Sequence, residues 1–168
     1  LERVQEGVRG LKAELECPVV VAATGPRMAR LGGREADGVL FNWVTPAYAK
    51  VSANWVAEGA AEVGRETPAL LAYVRTALGQ AAAARLTEEA ARYSAMPGYA
   101  AHAARMGVDL LDTTVIAETA DAVQTGLQRF DGVLDEAIVR GITGQDTVED
   151  VLSLVQAAAP DRSWMSPA

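Results

Sequence analysis

The sequence has 168 residues, half of them hydrophobic and 22% charged, which is enough for a folded domain with a substantial core. The net charge is −7 and no basic stripe is present, so nucleic acid is excluded as an expected partner. No apolar run approaches the roughly 20 residues that cross a bilayer, so no membrane partner is expected either. Cys17 is the single cysteine and permits no internal disulfide, which fits a cytoplasmic protein.

Helical and strand patterns alternate along the chain. Apolar residues at helical spacing indicate amphipathic helices, and short continuous apolar runs indicate strands that are buried on both faces. In chain order the sequence predicts a helix over 1–16, a strand over 19–23, a helix to about 36, a strand over 39–44, a helix from Thr45 to Gly64, a strand over 70–78, a long helical stretch broken at Met96-Pro97-Gly98, a helix over 119–130, a strand within 133–142, and a last helix capped at Asp146 with Glu149 three residues on.

This order predicts an α/β fold with a parallel sheet and right-handed crossovers. Four βα units fit either half of an eight-unit (β/α)₈ barrel, whose full length is about 250 residues, or an open parallel sheet. We expect one α/β domain over 1–160 and a flexible tail over 161–168. Because the first residues, which begin at Leu1, have the pattern of a helix interior, we also expect a fragment, a processed chain or an incomplete one.

The turn after the first strand is the best candidate for binding a cofactor. It comprises Thr24, Gly25, Pro26, Arg27 and Met28. Gly25 allows a ligand to approach the backbone closely, and the N-terminus of the following helix offers unpaired N–H groups that suit a phosphate. Thr24 adds a hydroxyl and Arg27 a cation. The alternative is an ordinary strand-to-helix turn.

Four residues at the ends of later strands are candidates for binding a substrate: Asn42, Trp43, Arg75 and Arg140. In a parallel sheet Arg75 and Arg140 approach the same edge, where two guanidinium groups can hold an anionic substrate or coenzyme tail. The equal alternative is a salt bridge to an acidic residue. Asn42 can instead bond neighbouring backbone, and Trp43 can simply pack.

Other reactive side chains receive structural interpretations. His102 is the single histidine and has no Cys or His neighbours, so we expect a helix-face residue and no metal site. Cys17 is expected to be buried and inert. The Glu88-Glu89 and Asp135-Glu136 pairs are expected to be solvated charges. No catalytic residue is identified.

The stretch 18–44 resembles the bacterial-luciferase-like flavin and deazaflavin oxidoreductases. A strand ends in a small-residue-Gly-Pro turn at Thr24-Gly25-Pro26, a helix follows, and Ala36-Asp37-Gly38 precedes the next strand. The sequence is most similar to the branch of that family that uses coenzyme F420. The resemblance extends more loosely over 70–79 and 134–143, so it implies strands five to eight of the family's (β/α)₈ barrel.

The resemblance implies an oxidoreductase that transfers a hydride between F420 and a small organic substrate, with the turn at Thr24 to Met28 holding the coenzyme's phosphate-bearing side chain. The first four strands of the family's barrel supply much of the ring pocket and, in many members, the proton-transfer residues, and nothing here corresponds to them. One alternative is an FMN-dependent monooxygenase. Another is a non-catalytic half-barrel. Two open sheet edges invite pairing with the missing N-terminal half or with a second copy in a homodimer.

Overall fold

Helices and strands alternate as the apolar periodicity predicts. The computed structural model of the chain describes residues 1–160, and the predicted tail, 161–168, lies outside them. In chain order the elements are α1 (Glu2–Glu14), β1 (Val20–Ala23), α2 (Pro26–Glu35), β2 (Gly38–Asn42), α3 (Pro46–Glu62), β3 (Ala69–Leu78), α4 (Gln80–Ser94), α5 (Pro97–Met106), a 3₁₀ turn (Leu110–Thr113), β4 (Val115–Ala117), α6 (Ala120–Gln128), β5 (Glu136–Ile142) and α7 (Val148–Ala158).

All five strands of the sheet are parallel. The order is β1-β2-β3, and the long strand β3 pairs with β5 along its other edge. The last three residues of β3 pair with β4, which lies beyond the end of β2 on the same edge as β2. The four predicted strands are confirmed. The strand β4 was not predicted, because three apolar residues leave too short a pattern.

The two faces of the sheet have different surroundings, because successive side chains of a strand point to opposite faces. Val39, Phe41 and Val74 point to the face that α2 and α3 cover, and they belong to the main apolar core. We call the opposite face the inner face, since it would line the interior of a closed barrel. On it, Val20 and Tyr73 are exposed.

Glycines let α2 and α3 pack at very short range. A Cβ atom added to Gly33 would lie 2.1 Å from the carbonyl oxygen of Val56, and one added to Gly59 would lie 2.1 Å from the carbonyl oxygen of Arg30. Backbone therefore meets backbone at this contact, on both sides. The crossing is a feature of the outer helix layer and supports the sheet from behind.

An insertion separates β3 from α6, and it consists of α4, α5, the 3₁₀ turn and β4. Leu86 and Ala90 of α4 pack with Trp43 and Ala77 in a second apolar core. Since Ala77 belongs to the inner face, α4 covers the end of that face where the strands have their carboxyl termini. The helix α6 returns to the opposite side and packs against α7.

The start of α7 differs from the prediction by one residue. Thr147, not Asp146, is the N-cap, and its hydroxyl accepts a hydrogen bond from the backbone N–H of Asp150 at 3.1 Å. Asp146 has a positive φ of 56° and binds Arg85 instead. Asp tolerates this left-handed conformation better than most residues. Because Thr147 caps the helix, the carboxylate of Asp146 is available to Arg85. Within residues 1–160, no helix is long and apolar enough to cross a membrane.

Candidate functional site

Arg75 and Arg140 converge, as the parallel sheet predicts. They occupy paired positions in β3 and β5 on the inner face. Between them lies Glu89 of α4, whose Oε1 accepts a hydrogen bond from Nε of Arg75 at 2.7 Å and another from Nη1 of Arg140. We call these three side chains the Arg–Glu–Arg cluster. Its geometry matches the salt-bridge alternative, and the anion is one that the chain itself provides.

Arg75 fixes two of the other candidate residues. Its side chain is 4% exposed, and its Nη1 donates to Oδ1 of Asn42 at 2.7 Å. The guanidinium lies over the ring of Trp43, 3.7 Å from the centroid, and 5.3 Å from the centroid of Tyr93. A desolvated cation over an aromatic face is a favourable contact. Arg75 therefore joins the ends of β2 and β3 to α4.

Trp43 is held in an uncommon backbone conformation at the end of β2. Its φ is 51°, a region that bulky residues rarely occupy. Its carbonyl oxygen accepts a hydrogen bond from Nε2 of His102 at 2.8 Å, so Nε2 of His102 carries a proton. Among the described residues, neither the indole Nε1 of Trp43 nor Nδ1 of His102 has a hydrogen-bond partner.

His102 is buried, where the sequence suggested only a helix-face position. Its exposed fraction is 2%, and this burial lowers the pKa of its imidazole. The ring is therefore neutral near pH 7. Together with the bond to Trp43, this makes His102 a buried link between α5 and the end of β2.

Glu89 is not the solvated charge that the sequence suggested. It is 7% exposed, while its neighbour Glu88 is exposed. Burial raises the pKa of Glu89, but the hydrogen bonds from Arg75 and Arg140 outweigh that effect and leave its pKa below the ordinary value. The carboxylate is therefore ionised at neutral pH. The cluster carries one net positive charge, and its most exposed member is Arg140, at 41%.

The turn after β1 lies at the same edge of the sheet. Gly25 is the N-cap of α2, with Pro26 at the first helical position. From α5, Nη2 of Arg105 donates to the carbonyl oxygen of Thr24 at 3.0 Å, and it lies 3.4 Å from the position of a Cβ on Gly25. Arg27 is exposed. The turn is thus flanked by positive charge.

The side chain of Met28 has different surroundings from the rest of the turn. It packs against two apolar cores, one of which contains Val8, Val21 and Leu31. Its contacts are thus with α1, β1 and α2 on the covered face of the sheet. Of the five candidate turn residues, Met28 is the one whose apolar packing already accounts for its presence.

Sequence reasoning missed Glu89 and Arg105, although a signal existed for the first. Glu89 lies three residues after Leu86 and four before Tyr93, so it occupies the apolar stripe of its helix. A charged residue at such a position predicts a buried partner. Arg105 gave no comparable signal. Cys17, predicted to be buried, is exposed, because the chain between α1 and β1 runs over the surface.

Comparisons with known proteins agree with this architecture. Among solved structures, the chain resembles an F420-dependent secondary alcohol dehydrogenase in complex with an F420–acetone adduct, with 16% identity, 87% of this chain and 50% of that chain covered, and a TM-score of 0.60. It also resembles the coenzyme F420-dependent tetrahydromethanopterin reductase of Methanopyrus kandleri, with 22% identity, 83% and 49% covered, and a TM-score of 0.56. A riboflavin lyase with modified FMN gives 12% identity, 83% and 41% covered, and a TM-score of 0.54.

The chain thus spans about half the length of these solved relatives. At such identities the likeness establishes the shared fold, and the predicted half of a (β/α)₈ barrel is confirmed. No curated protein matches the sequence. The family model described as luciferase-like monooxygenase matches residues 3–159. The chain therefore belongs to the luciferase-like monooxygenase family.

Proposed function

We propose that this chain forms the coenzyme-phosphate site and one wall of the substrate site of an oxidoreductase that transfers a hydride between coenzyme F420 and a small organic substrate. One observation carries the proposal. The turn at Thr24 and the strand ends at Trp43 and Arg75 lie at one edge of a parallel sheet, and α5 connects the turn to Trp43 through Arg105 and His102. Active sites of (β/α)₈ enzymes lie at this edge.

The turn fits a phosphate group. The helix α2 begins at Pro26 and its N-cap, Gly25, has no side chain to occupy the first-turn N–H groups. Helix N-termini of this kind attract anions. Arg105 places a guanidinium group beside it, close enough that a side chain at position 25 would meet it, and Arg27 of the turn adds an exposed cation. The phosphate on the side chain of F420 matches this combination.

The remaining candidate residues bind and orient. When bound, the coenzyme supplies the ring that donates or accepts the hydride. Asn42 and Arg140 are partly exposed on the inner face and can contact a ligand there. Trp43 and Arg75 are buried, so they hold that wall in place. No residue within 1–160 is assigned a catalytic proton transfer.

FMN is the alternative coenzyme, with a monooxygenase reaction. FMN also carries a phosphate on a ribityl chain, so the same turn suits both. The solved riboflavin lyase holds modified FMN. The choice between the two coenzymes therefore rests on direct binding, not on the geometry of the turn.

Fluorescence and absorbance titrations of F420 and FMN into the protein containing this chain test the proposal. We expect F420 to bind, and Arg105→Met to weaken its binding about tenfold, as expected for losing one charge-assisted hydrogen bond. Arg3→Met is the matched control, since Arg3 is exposed on α1 and its loss removes the same charge. Binding of FMN alone would favour the monooxygenase, and binding of neither would refute both.

The two open edges of the sheet indicate which partners this chain binds. Leu11 and Val20 are exposed beside β1, and Val151 and Val155 are exposed beside β5. We propose that four further βα units cover these edges, as a closed barrel requires. In isolation we expect a homodimer, because a second copy presents the same two edges. Light scattering should give twice 17.6 kDa; a monodisperse monomer would contradict self-association.

A further inference from the structure

The Arg–Glu–Arg cluster has the arrangement of an occupied anion site. Two guanidinium groups from neighbouring strands donate hydrogen bonds to one carboxylate oxygen, Oε1 of Glu89. Arginine pairs recognise carboxylates and phosphates in this way in binding sites. Here the carboxylate comes from α4 of the same chain, so the position that a ligand anion would take is filled.

We propose that Glu89 is a built-in counter-ion that excludes anionic groups from this part of the inner face, so that the substrate is uncharged where it meets β3 and β5. The proposal rests on the proposed function only in taking the inner face as the substrate side.

The contacts of Arg75 support this assignment. Its Nε and Nη1 donate to Glu89 and Asn42, and its flat face lies on the ring of Trp43. With 4% of its side chain exposed, it offers little surface to a ligand. Arg75 therefore serves as a positioning residue for the strand ends.

Arg140 is the arginine of the cluster that a ligand can reach. It borders a surface cleft whose other charged residues are Arg85, Glu88, Glu89, Arg92 and Asp146. An incoming phosphate or carboxylate would meet Arg140 from this cleft, but with the Glu89 carboxylate already bound to the same guanidinium. Repulsion between the two anions in a partly desolvated site opposes such binding. Among the acidic residues of the cleft, Glu89 is the one bound to Arg140, so its charge opposes an anion at this guanidinium most directly.

The test is a calorimetric titration with inorganic phosphate at constant ionic strength. Glu89→Gln keeps the size of the side chain and an acceptor oxygen while removing the charge. We expect it to bind phosphate at least tenfold more tightly than the wild type, and we expect the gain to vanish in Glu89→Gln/Arg140→Met. Glu6→Gln is the matched control, since Glu6 is exposed on α1 and its substitution changes the net charge equally.

Equal phosphate affinities of Glu89→Gln and the wild type would overturn the proposal, because a purely structural Glu89 predicts that result. Saturable phosphate binding by the wild type that Arg140→Met abolishes would also overturn it. If Glu89→Gln does not fold, this wild-type measurement decides alone. The absence of Arg140-dependent phosphate binding by the wild type then supports the proposal. Phosphate held at the turn near Thr24 is distinguished because it does not depend on Arg140. The titration needs no coenzyme, so it can fail while the F420 titration succeeds.

Discussion

The close contact between α2 and α3 makes Gly33→Ala a sharp test of the packing. The new methyl carbon would lie 2.1 Å from the carbonyl oxygen of Val56 and 3.0 Å from the backbone nitrogen of Ala60, where ordinary contact begins at 3.4 Å. Neither atom can move without its helix, so α2 and α3 must separate by roughly 1 Å. Overpacking of this kind costs about 1–3 kcal/mol, and the better helix propensity of Ala returns about 1 kcal/mol.

Because rigid backbone sets the clash, the cost should lie near the upper end, giving a net loss of about 2 kcal/mol. For a chain of this size that lowers the Tm by about 4–8 °C. Thermal unfolding followed by circular dichroism measures it. Gly10→Ala is the control, since a Cβ there meets nothing within 4 Å, and it should raise the Tm slightly. A Gly33→Ala protein as stable as Gly10→Ala would refute the reasoning.

Two further predictions concern pH. Burial lowers the pKa of His102 from its usual 6.5, so its contribution to stability is present above pH 6.5 and is lost as the pH falls below it. The Tm of the wild type should therefore fall between about pH 7 and pH 5, and less so in His102→Gln, where the amide can still donate to Trp43. A parallel decline in both proteins would count against a neutral, buried His102. Arg85 lowers the pKa of Asp146 from 3.8 to about 2, so stability should drop across that interval and drop less steeply in Arg85→Met; equal slopes would disprove the coupling.

The elements were predictable from sequence where one physical signal dominates. The continuous apolar runs around Val20–Ala23 and Gly38–Asn42 indicate strands covered on both faces, and turns at Pro26 and Pro46 fix the helix starts. A strand as short as Val115–Ala117 gives no period to detect. It forms because β3 extends past the end of β2 and leaves a free edge there.

The site was predictable only where the parallel sheet itself brings residues together. Arg75 and Arg140 occupy paired positions near the carboxyl ends of neighbouring strands, so their convergence follows from topology. Glu89, His102 and Arg105 belong to the insertion, and a local pattern cannot say on which face an inserted helix docks. The stripe position of Glu89 predicts burial, but the identity of its partners depends on the tertiary structure.

The docking of the insertion relies on buried polar contacts, whereas the ion pairs between α2 and α3, Arg30–Glu58 and Arg34–Glu62, are largely exposed. Backbone meets backbone where α2 crosses α3, whereas α4 and α5 reach the strand ends through Glu89, His102 and Arg105 as well as through apolar packing. Hydrogen-bonded and ionic contacts are directional and leave a high cost when one partner is removed. Substitutions in α4 and α5 can therefore alter the charge and shape of the inner face while the sheet behind it stays intact.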